Sequence, residues 1–278
     1  MIYLDGAFVH PSEAKVAALD RGLLFGRGVF ETFRAREGRV FRLDRHAERL
    51  RAGCALLGID PPLTAEQVER AVLELTRRCG LSDARVRLTV TAGPEGGPAS
   101  TLMTARAADD YTPELHERGA SVVVATVRRN ETSPLSRVKS LQCLDSLLAR
   151  EDARRRGADE ALLLNTSGRL AEGAFTNVFL VRGGQLTTPP ISEGALPGIA
   201  RGAVLELALR SGLAVREAPV ALEDALAADE AFLTNAVAGI LPLTVIDGRP
   251  VGAGRPGSLT LRLRAALERA ATPAAARR

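Results

Sequence analysis

The chain has 278 residues, 46% of them hydrophobic and 25% charged, with a formal net charge of +4; this is ordinary for a globular protein and long enough for one large or two modest domains. The basic residues are scattered among acids, which argues against nucleic acid as a partner and suits small anionic molecules instead. No apolar stretch approaches a membrane span, residues 1–20 lack a signal-peptide pattern, and neither Cys54, Cys79 and Cys143 nor His10, His46 and His116 make a metal or disulfide pattern, so a cytoplasmic chain without a metal or a membrane partner is expected.

Met1 to Gly6 and Ala7 to Val9 predict a hairpin. Leu19 to Gly26 reads as a tight glycine-permitted path, and the alternation after Gly28 predicts a strand to Arg34. Gly26-Arg27-Gly28 does not open a helix, so a dinucleotide-binding turn is excluded. Arg34 is either a ligand for a substrate carboxylate or a solvent-facing strand arginine. Leu43, Ala47, Leu50, Cys54 and Leu57 form the apolar stripe of a helix that Gly58 ends. Thr64-Ala65-Glu66-Gln67 resembles a capping box, opening a helix to Cys79 with Val68, Val72 and Leu75 inward. Arg85 to Thr91 and Ser100 to Ala105 predict strands. Residues 107–120 read as irregular, so a first domain ends near 110–120. Ser121 to Val127 is a β-branched strand, and 128–137 a polar loop.

Lysine occurs only at Lys15 and Lys139; the other 35 of the 37 basic residues are arginine. Lysine can do what arginine cannot: lose its proton near neutral pH and attack a carbonyl to form a Schiff base. Val138, Leu141, Leu144, Leu147 and Leu148 predict an amphipathic helix over 140–156. Lys139 would then sit at its start beside an apolar face, where desolvation lowers an amine's pKa. Glu160 to Asn165 predicts a buried strand, 165–168 a turn, Arg169 to Val181 a second strand, and Gln185 to Thr188 a third.

Gly198-Ile199-Ala200 opens a helix to about Arg210, and backbone N–H groups at such a start bind phosphate. Val215 to Val220 predicts a strand, Leu222 to Ala227 a short helix, Glu230 to Thr234 a strand, 235–243 a loop, 245–250 a hairpin and Leu259 to Leu267 the last helix. An alanine-arginine tail follows.

Lysine, helix, strand hairpin and then Glu172-Gly173-Ala174-Phe175-Thr176-Asn177-Val178-Phe179 resemble the class IV, fold-type IV enzymes of pyridoxal 5'-phosphate. That family includes branched-chain and D-amino acid aminotransferases and 4-amino-4-deoxychorismate lyase. The resemblance spans nearly the whole chain. It implies an α+β fold of two domains: a small α/β sandwich, residues 1–115, and a larger pseudo-barrel with flanking helices, residues 120–278, with a linker region over 116–137. It implies that Lys139 carries the cofactor and is the catalytic base, and that Glu172 keeps a proton on the pyridine nitrogen so that the ring can accept electrons. Arg49, in a His-x-x-Arg-Leu run, matches the arginine that reaches the cofactor phosphate. Asn177, Gly198, Ile199, Ala200, Asn235 and Ala236 fall where the family surrounds the cofactor, with Ala200 replacing a threonine. Phe25, Phe30, Thr32 and Arg34 fall in the segment that lines the substrate site. Arg27 stands where the family usually has an acid. A homodimer and a small anionic amino substrate are implied.

Three details resemble the lyase: Lys139-Ser140-Leu141-Gln142-Cys143-Leu144, Thr234-Asn235-Ala236 and Phe30-Glu31-Thr32-Phe33-Arg34. The expected activity is therefore formation of 4-aminobenzoate and pyruvate, for folate synthesis. The alternative is an aminotransferase for D-amino acids or branched-chain L-amino acids with a keto-acid acceptor. A non-catalytic relative is disfavoured by the presence of both Lys139 and Glu172.

Overall fold

Residues 83–91 alternate buried and open positions along their whole length, the signature of a strand with one covered face, while 28–36 are buried over Gly28–Glu31 and alternate only from there on. They pair antiparallel along their whole length, Gly28 opposite Thr91 and Arg36 opposite Asp83. The structure, a computed structural model, describes residues 1–272; the alanine-arginine tail beyond lies outside the described residues. The chain divides into two compact units.

Unit one contains β1 (Ile2–Leu4), β2 (Ala7–Val9), α1 (Arg21–Phe25), β3 (Gly28–Arg36), β4 (Arg39–Val40), α2 (Leu43–Leu56), α3 (Ala65–Arg78), β5 (Asp83–Thr91) and β6 (Ser100–Ala107). The strands form one sheet in the order β2-β1-β6-β5-β3-β4. Val29, Phe33 and Ala35 on β3 and Val86, Leu88 and Val90 on β5 are buried. So are Leu50 and Cys54 on α2, and Val68, Val72 and Leu75 on α3. Each large apolar side chain withdrawn from water contributes about 1.5–3 kcal/mol. The predicted capping box on α3 is present: Gln67 N–H donates to Thr64 and the Gln67 side chain accepts from Thr64 N–H. The segment read as a tight glycine path contains α1, capped by Asp20.

Val138 to Gln142 belong to this unit. Ser140 bridges Val29 antiparallel, Phe30 N–H donates to Lys139 O at 2.8 Å, and Leu141 N–H donates to Gly28 O at 2.9 Å. This corrects two expectations. Lys139 is on an extended segment zipped along β3, not at a helix start. It also groups with the N-terminal residues, whereas the partition at 115 and 120 put it in the C-terminal domain.

Unit two contains α4 (Pro113–Arg118), β7 (Ala120–Arg129), α5 (Leu144–Arg155), β8 (Glu160–Asn165), β9 (Leu170–Gly173), β10 (Asn177–Arg182), β11 (Gln185–Thr188), α6 (Ile199–Arg210), β12 (Val215–Glu217), α7 (Leu222–Leu226), β13 (Glu230–Asn235), β14 (Gly239–Ile246), β15 (Arg249–Pro250) and α8 (Ser258–Ala271). The sheet order is β12-β11-β10-β13-β14-β7-β8-β9, with β15 beside β14. β8 is buried on both faces. Leu162 and Leu164 join a core with Val178, Leu180, Leu233, Leu241 and Leu243. Ala161 and Leu163 face Ala149 and Ala153 of α5. Both units mix sheet and helix, as expected of an α+β protein.

Four local expectations are corrected. The helix after Lys139 starts at Leu144, and it buries Ser146, Ala149 and Ala153 while Leu144, Leu147 and Leu148 are exposed. The strand read through 169–181 is two strands, with β9 pairing β8 and β10 pairing β13 and β11. Residues 107–120, read as irregular, hold α4, capped by Thr112 with proline in the first turn. The 235–243 loop is short because β14 starts at Gly239 and runs through Pro242. Pairing of β14 with β7 begins only at Leu243, so the missing proline N–H costs that pairing nothing. No helix among the described residues is long and apolar enough to cross a membrane.

Candidate functional site

On unit one, the pleat sends Phe30, Thr32 and Arg34 to the face of the sheet opposite Val29, Glu31 and Phe33. Lys139 Nζ lies 4.5 Å from the centre of the Phe30 ring, and the Arg87 guanidinium lies 3.7 Å from the same centre. Both cations are within cation–π range of one aromatic. Arg87 opposes Thr32 in the β3–β5 register, one pleat from Phe30. The sequence reading does not single out Arg87; the alternation of β5 was its only signal. Arg34 is bonded through two guanidinium nitrogens to Asp83, so its fork holds a protein carboxylate. The expectation that Arg34 is either a carboxylate ligand or a solvent-facing strand arginine meets, in the structure, an arginine paired with Asp83. Phe25 ends α1 and is 68% exposed.

Behind β3, Glu31 is 1% exposed. It accepts from Arg49 Nε at 2.8 Å, Arg49 Nη2 at 2.7 Å and His46 Nδ1 at 2.7 Å. Burial pushes the Glu31 carboxyl up, but Arg49 and His46 outweigh it and hold it at about 2. The Nε–Nη2 edge of Arg49 is therefore used by Glu31, and the paired grip expected on a phosphate cannot come from that edge. Arg27, the departure from the family's acid, donates from Nε and Nη2 to Leu57 O at 3.0 and 2.7 Å. A cation at the end of α2 complements the helix dipole.

On unit two, Glu172 closes β9 and is buried. Its Oε2 accepts from Leu196 N–H at 2.8 Å, and its Oε1 pairs with Arg129 at 3.3 Å. Arg129, another residue the sequence reading does not single out, also donates to Gly194 O and Ser136 O. Asn177 donates to Leu196 O at 2.9 Å, so Glu172 and Asn177 are tied to the same residue. Gly198 stands beside Asn177; a Cβ there would lie 2.0 Å from Asn177 Oδ1, which only glycine avoids. Gly198 also caps α6 without a side-chain bond, leaving the first N–H groups of Ile199 and Ala200 outside the helical ladder. Thr234 opposes Asn177, and the buried hydroxyls of Thr234 and Thr176 have no hydrogen-bond partner. Asn235 accepts from Val237 and Ala238 N–H and donates to the Tyr111 hydroxyl. Its side chain builds the turn that contains Ala236.

Residues 28–246 match the family described as amino-transferase class IV. The chain belongs to the class IV aminotransferases. Members of this family use pyridoxal 5'-phosphate. A protein of Methanocaldococcus jannaschii, provisionally named a branched-chain-amino-acid aminotransferase, is 41% identical over 95% of this chain and 93% of its own length. The D-alanine aminotransferase of Bacillus licheniformis is 32% identical over 96% of this chain and 95% of its own. A branched-chain amino acid aminotransferase from T.th., solved with pyridoxamine 5'-phosphate, superposes with a TM-score of 0.89 at 32% identity. It covers 97% of this chain and 93% of its own. Each of these relatives is an aminotransferase, so the findings favour the aminotransferase alternative and give the lyase expectation no support.

The residues of this class IV aminotransferase fit the cofactor. Uncapped N–H groups at Ile199 and Ala200, beside a glycine that admits close backbone approach, suit a phosphate. Unpartnered buried hydroxyls at Thr176 and Thr234 suit a ligand rich in acceptor oxygens. Two of the three lyase-like details take part in local backbone structure. Asn235 is spent on its own turn, and Ser140 to Leu141 on pairing with β3.

Proposed function

We propose that this chain transfers the amino group of an amino acid to a 2-keto acid, with branched-chain L-amino acids as donors. The observation that supports this most is Lys139: in a chain with two lysines, its backbone is locked to Phe30 and its amine lies over the Phe30 ring. When bound, pyridoxal 5'-phosphate supplies an aldehyde that takes up amino groups and a ring that delocalises the electrons left at carbon. Lys139 Nζ would hold that aldehyde carbon covalently and, once displaced, take the proton from the substrate α-carbon. Glu172 would accept from the pyridine N–H, its rotamer fixed by Arg129 and Leu196. Arg49, Asn177, the Ile199 and Ala200 N–H groups and the Asn235-Ala236 turn would hold the phosphate end. Phe25, Phe30 and Thr32 would meet the substrate side chain. Its carboxylate falls to Arg87, which shares the Phe30 ring with Lys139, rather than to Arg34. We expect a homodimer in the cytoplasm.

The relatives from M. jannaschii and T.th. support the branched-chain reading. The B. licheniformis relative supports a second one, D-amino acids as donors. The test is to incubate the loaded protein with 2-oxoglutarate and either L-leucine or D-alanine, and to measure glutamate. L-glutamate from L-leucine is the expected result, and D-glutamate from D-alanine alone would replace it with the second reading. Pyruvate released from 4-amino-4-deoxychorismate, with no glutamate from either donor, would overturn transfer altogether.

A further inference from the structure

Residues 190–198 join β11 to α6. They carry both polar backbone groups of Leu196, the N–H that Glu172 accepts and the O that takes the Asn177 amide. Gly198 N–H donates to the same Leu196 O at 2.8 Å. One side chain ties this segment down. Glu193 ends a single 3-10 turn, Ile191–Glu193, and is 5% exposed. Its Oε2 accepts from Asn165 Nδ2 at 2.6 Å and from Arg169 Nε at 2.6 Å. Asn165 ends β8 and is fully buried. Its own Oδ1 accepts from Ser167 and Arg169 N–H, so Glu193 is fastened to a turn that is itself closed. Gly194 follows at φ +92°, and its O accepts from Arg129 Nε at 3.1 Å; that arginine is also paired with Glu172. A buried carboxylate is costly unless it is paired, and no step of the reaction uses Glu193.

We propose that Glu193 is a positioning residue: pinned by Asn165 and Arg169, it holds residues 190–198 on the β8–β9 turn and so places Leu196 for Glu172 and Gly198 for the start of α6. Its consequence for the cofactor rests on the reading of Glu172 and of the Ile199 and Ala200 N–H groups given above. Pro190 and Pro197 stiffen the two ends of the segment by fixing φ. Stiffness does not decide where a segment lies; the Glu193 carboxylate does. Its two bonds differ in weight. The Asn165 amide is buried and cannot turn to solvent if its acceptor is removed. The Arg169 side chain is 42% exposed, so water screens and replaces much of what it gives. One anchor thus serves both ends of the cofactor, the ring nitrogen through Leu196 and the phosphate through Gly198.

Amide hydrogen exchange of the full chain without ligand reads the segment directly. In Glu193→Ala, peptides covering 190–198 exchange about ten-fold faster than in the wild type, while those of β13 and β14 do not change. Glu193→Gln keeps one acceptor for Asn165 and gives up the charge facing Arg169. It falls between the two, and it decides the matter if the alanine variant does not fold. Asn165→Ala loosens the same peptides more than Arg169→Gln does. Affinity for pyridoxal 5'-phosphate and for pyridoxal falls about ten-fold in Glu193→Ala and about three-fold in Glu193→Gln, because the ring end and the phosphate end share the anchor. Unchanged protection of 190–198 in the Glu193 variants overturns the proposal, even with a lower thermal midpoint, which alone marks a side chain that only stabilises. A loss confined to pyridoxal 5'-phosphate overturns the link from Glu193 to Glu172. A segment that opens while both affinities stay level upholds the anchor and overturns the assignment of Glu172 and the α6 start to the cofactor.

Discussion

Glu31 gathers one histidine and one arginine around a carboxylate that water cannot reach. Breaking a buried pair by removing one charge costs about 3–5 kcal/mol, so Glu31→Gln should lower the unfolding free energy by roughly that much, read from urea titrations at neutral pH. The pH dependence has a definite sign. A carboxyl at about 2 in the fold and 4.5 in the unfolded chain stabilises the fold above about pH 4.5. That contribution is lost as pH falls through about 2. The urea midpoint of the wild type should therefore fall faster than that of Glu31→Gln across this window. For Lys139→Ala the expected outcome is loss of turnover and of the bound-cofactor absorbance together; turnover that survives would end the assignment of Lys139. Lys139 was legible in the sequence because lysine is so scarce, and Glu172 and Asn177 because their spacing is a motif. Arg87 and the Arg34–Asp83 pair were not, because each depends on strand register between residues about fifty positions apart.

At the scale of elements, α3 was legible because its signals are local: a capping box at Thr64 and an inward stripe. α5 misled because its leucines point outward while small residues, Ala149 and Ala153, pack on β8. Hydrophobic spacing reports an apolar face, not what covers it. The break between β9 and β10 was hidden because Ala174 and Phe175 continue the apolar run. The first N–H groups of α8 are satisfied by Glu230, which accepts from Leu259 N–H, Thr260 N–H and the Thr260 hydroxyl. A Cβ at Gly257 would lie 1.9 Å from that carboxylate carbon. Glu230→Ala should then cost about 1–2 kcal/mol, the usual value of a lost cap, seen as a thermal midpoint several degrees lower. A midpoint unchanged within error would show that water replaces the cap. At the start of α6, Gly198→Ala sets a methyl against Asn177 Oδ1. It should weaken binding of pyridoxal 5'-phosphate about ten-fold while leaving binding of pyridoxal, which lacks the phosphate, nearly unchanged. Equal loss for both ligands would place the phosphate elsewhere.

At the scale of the whole molecule, a continuous reading of the sequence put Lys139 with the residues that follow it. The chain instead returns at 138–142 to pair with β3 before resuming unit two. No local pattern encodes such a return; it is fixed by two backbone hydrogen bonds, to Gly28 and Phe30, flanking a bridge to Val29 on a strand about 110 residues earlier. Cofactor binding is likewise a term in the stability of the fold. A ligand that binds only the folded chain adds about 2.7 kcal/mol when present at 100 times its dissociation constant. For a chain of this length each kcal/mol is worth about 2–4 °C. Saturating pyridoxal 5'-phosphate should therefore raise the thermal midpoint by roughly 5–10 °C. Lys139→Ala should keep the part of that rise owed to the phosphate and lose the part owed to the covalent bond, so its midpoint should fall between those of the unloaded and loaded wild type. Inorganic phosphate at high concentration should reproduce the smaller rise in both proteins, as expected of an anion bound by the free N–H groups at the start of α6. Calorimetry of the two proteins, with no ligand, with phosphate and with the cofactor, separates these contributions. If Lys139→Ala gained the full rise, the amine would have no covalent role and the transaminase reading would lose its central residue.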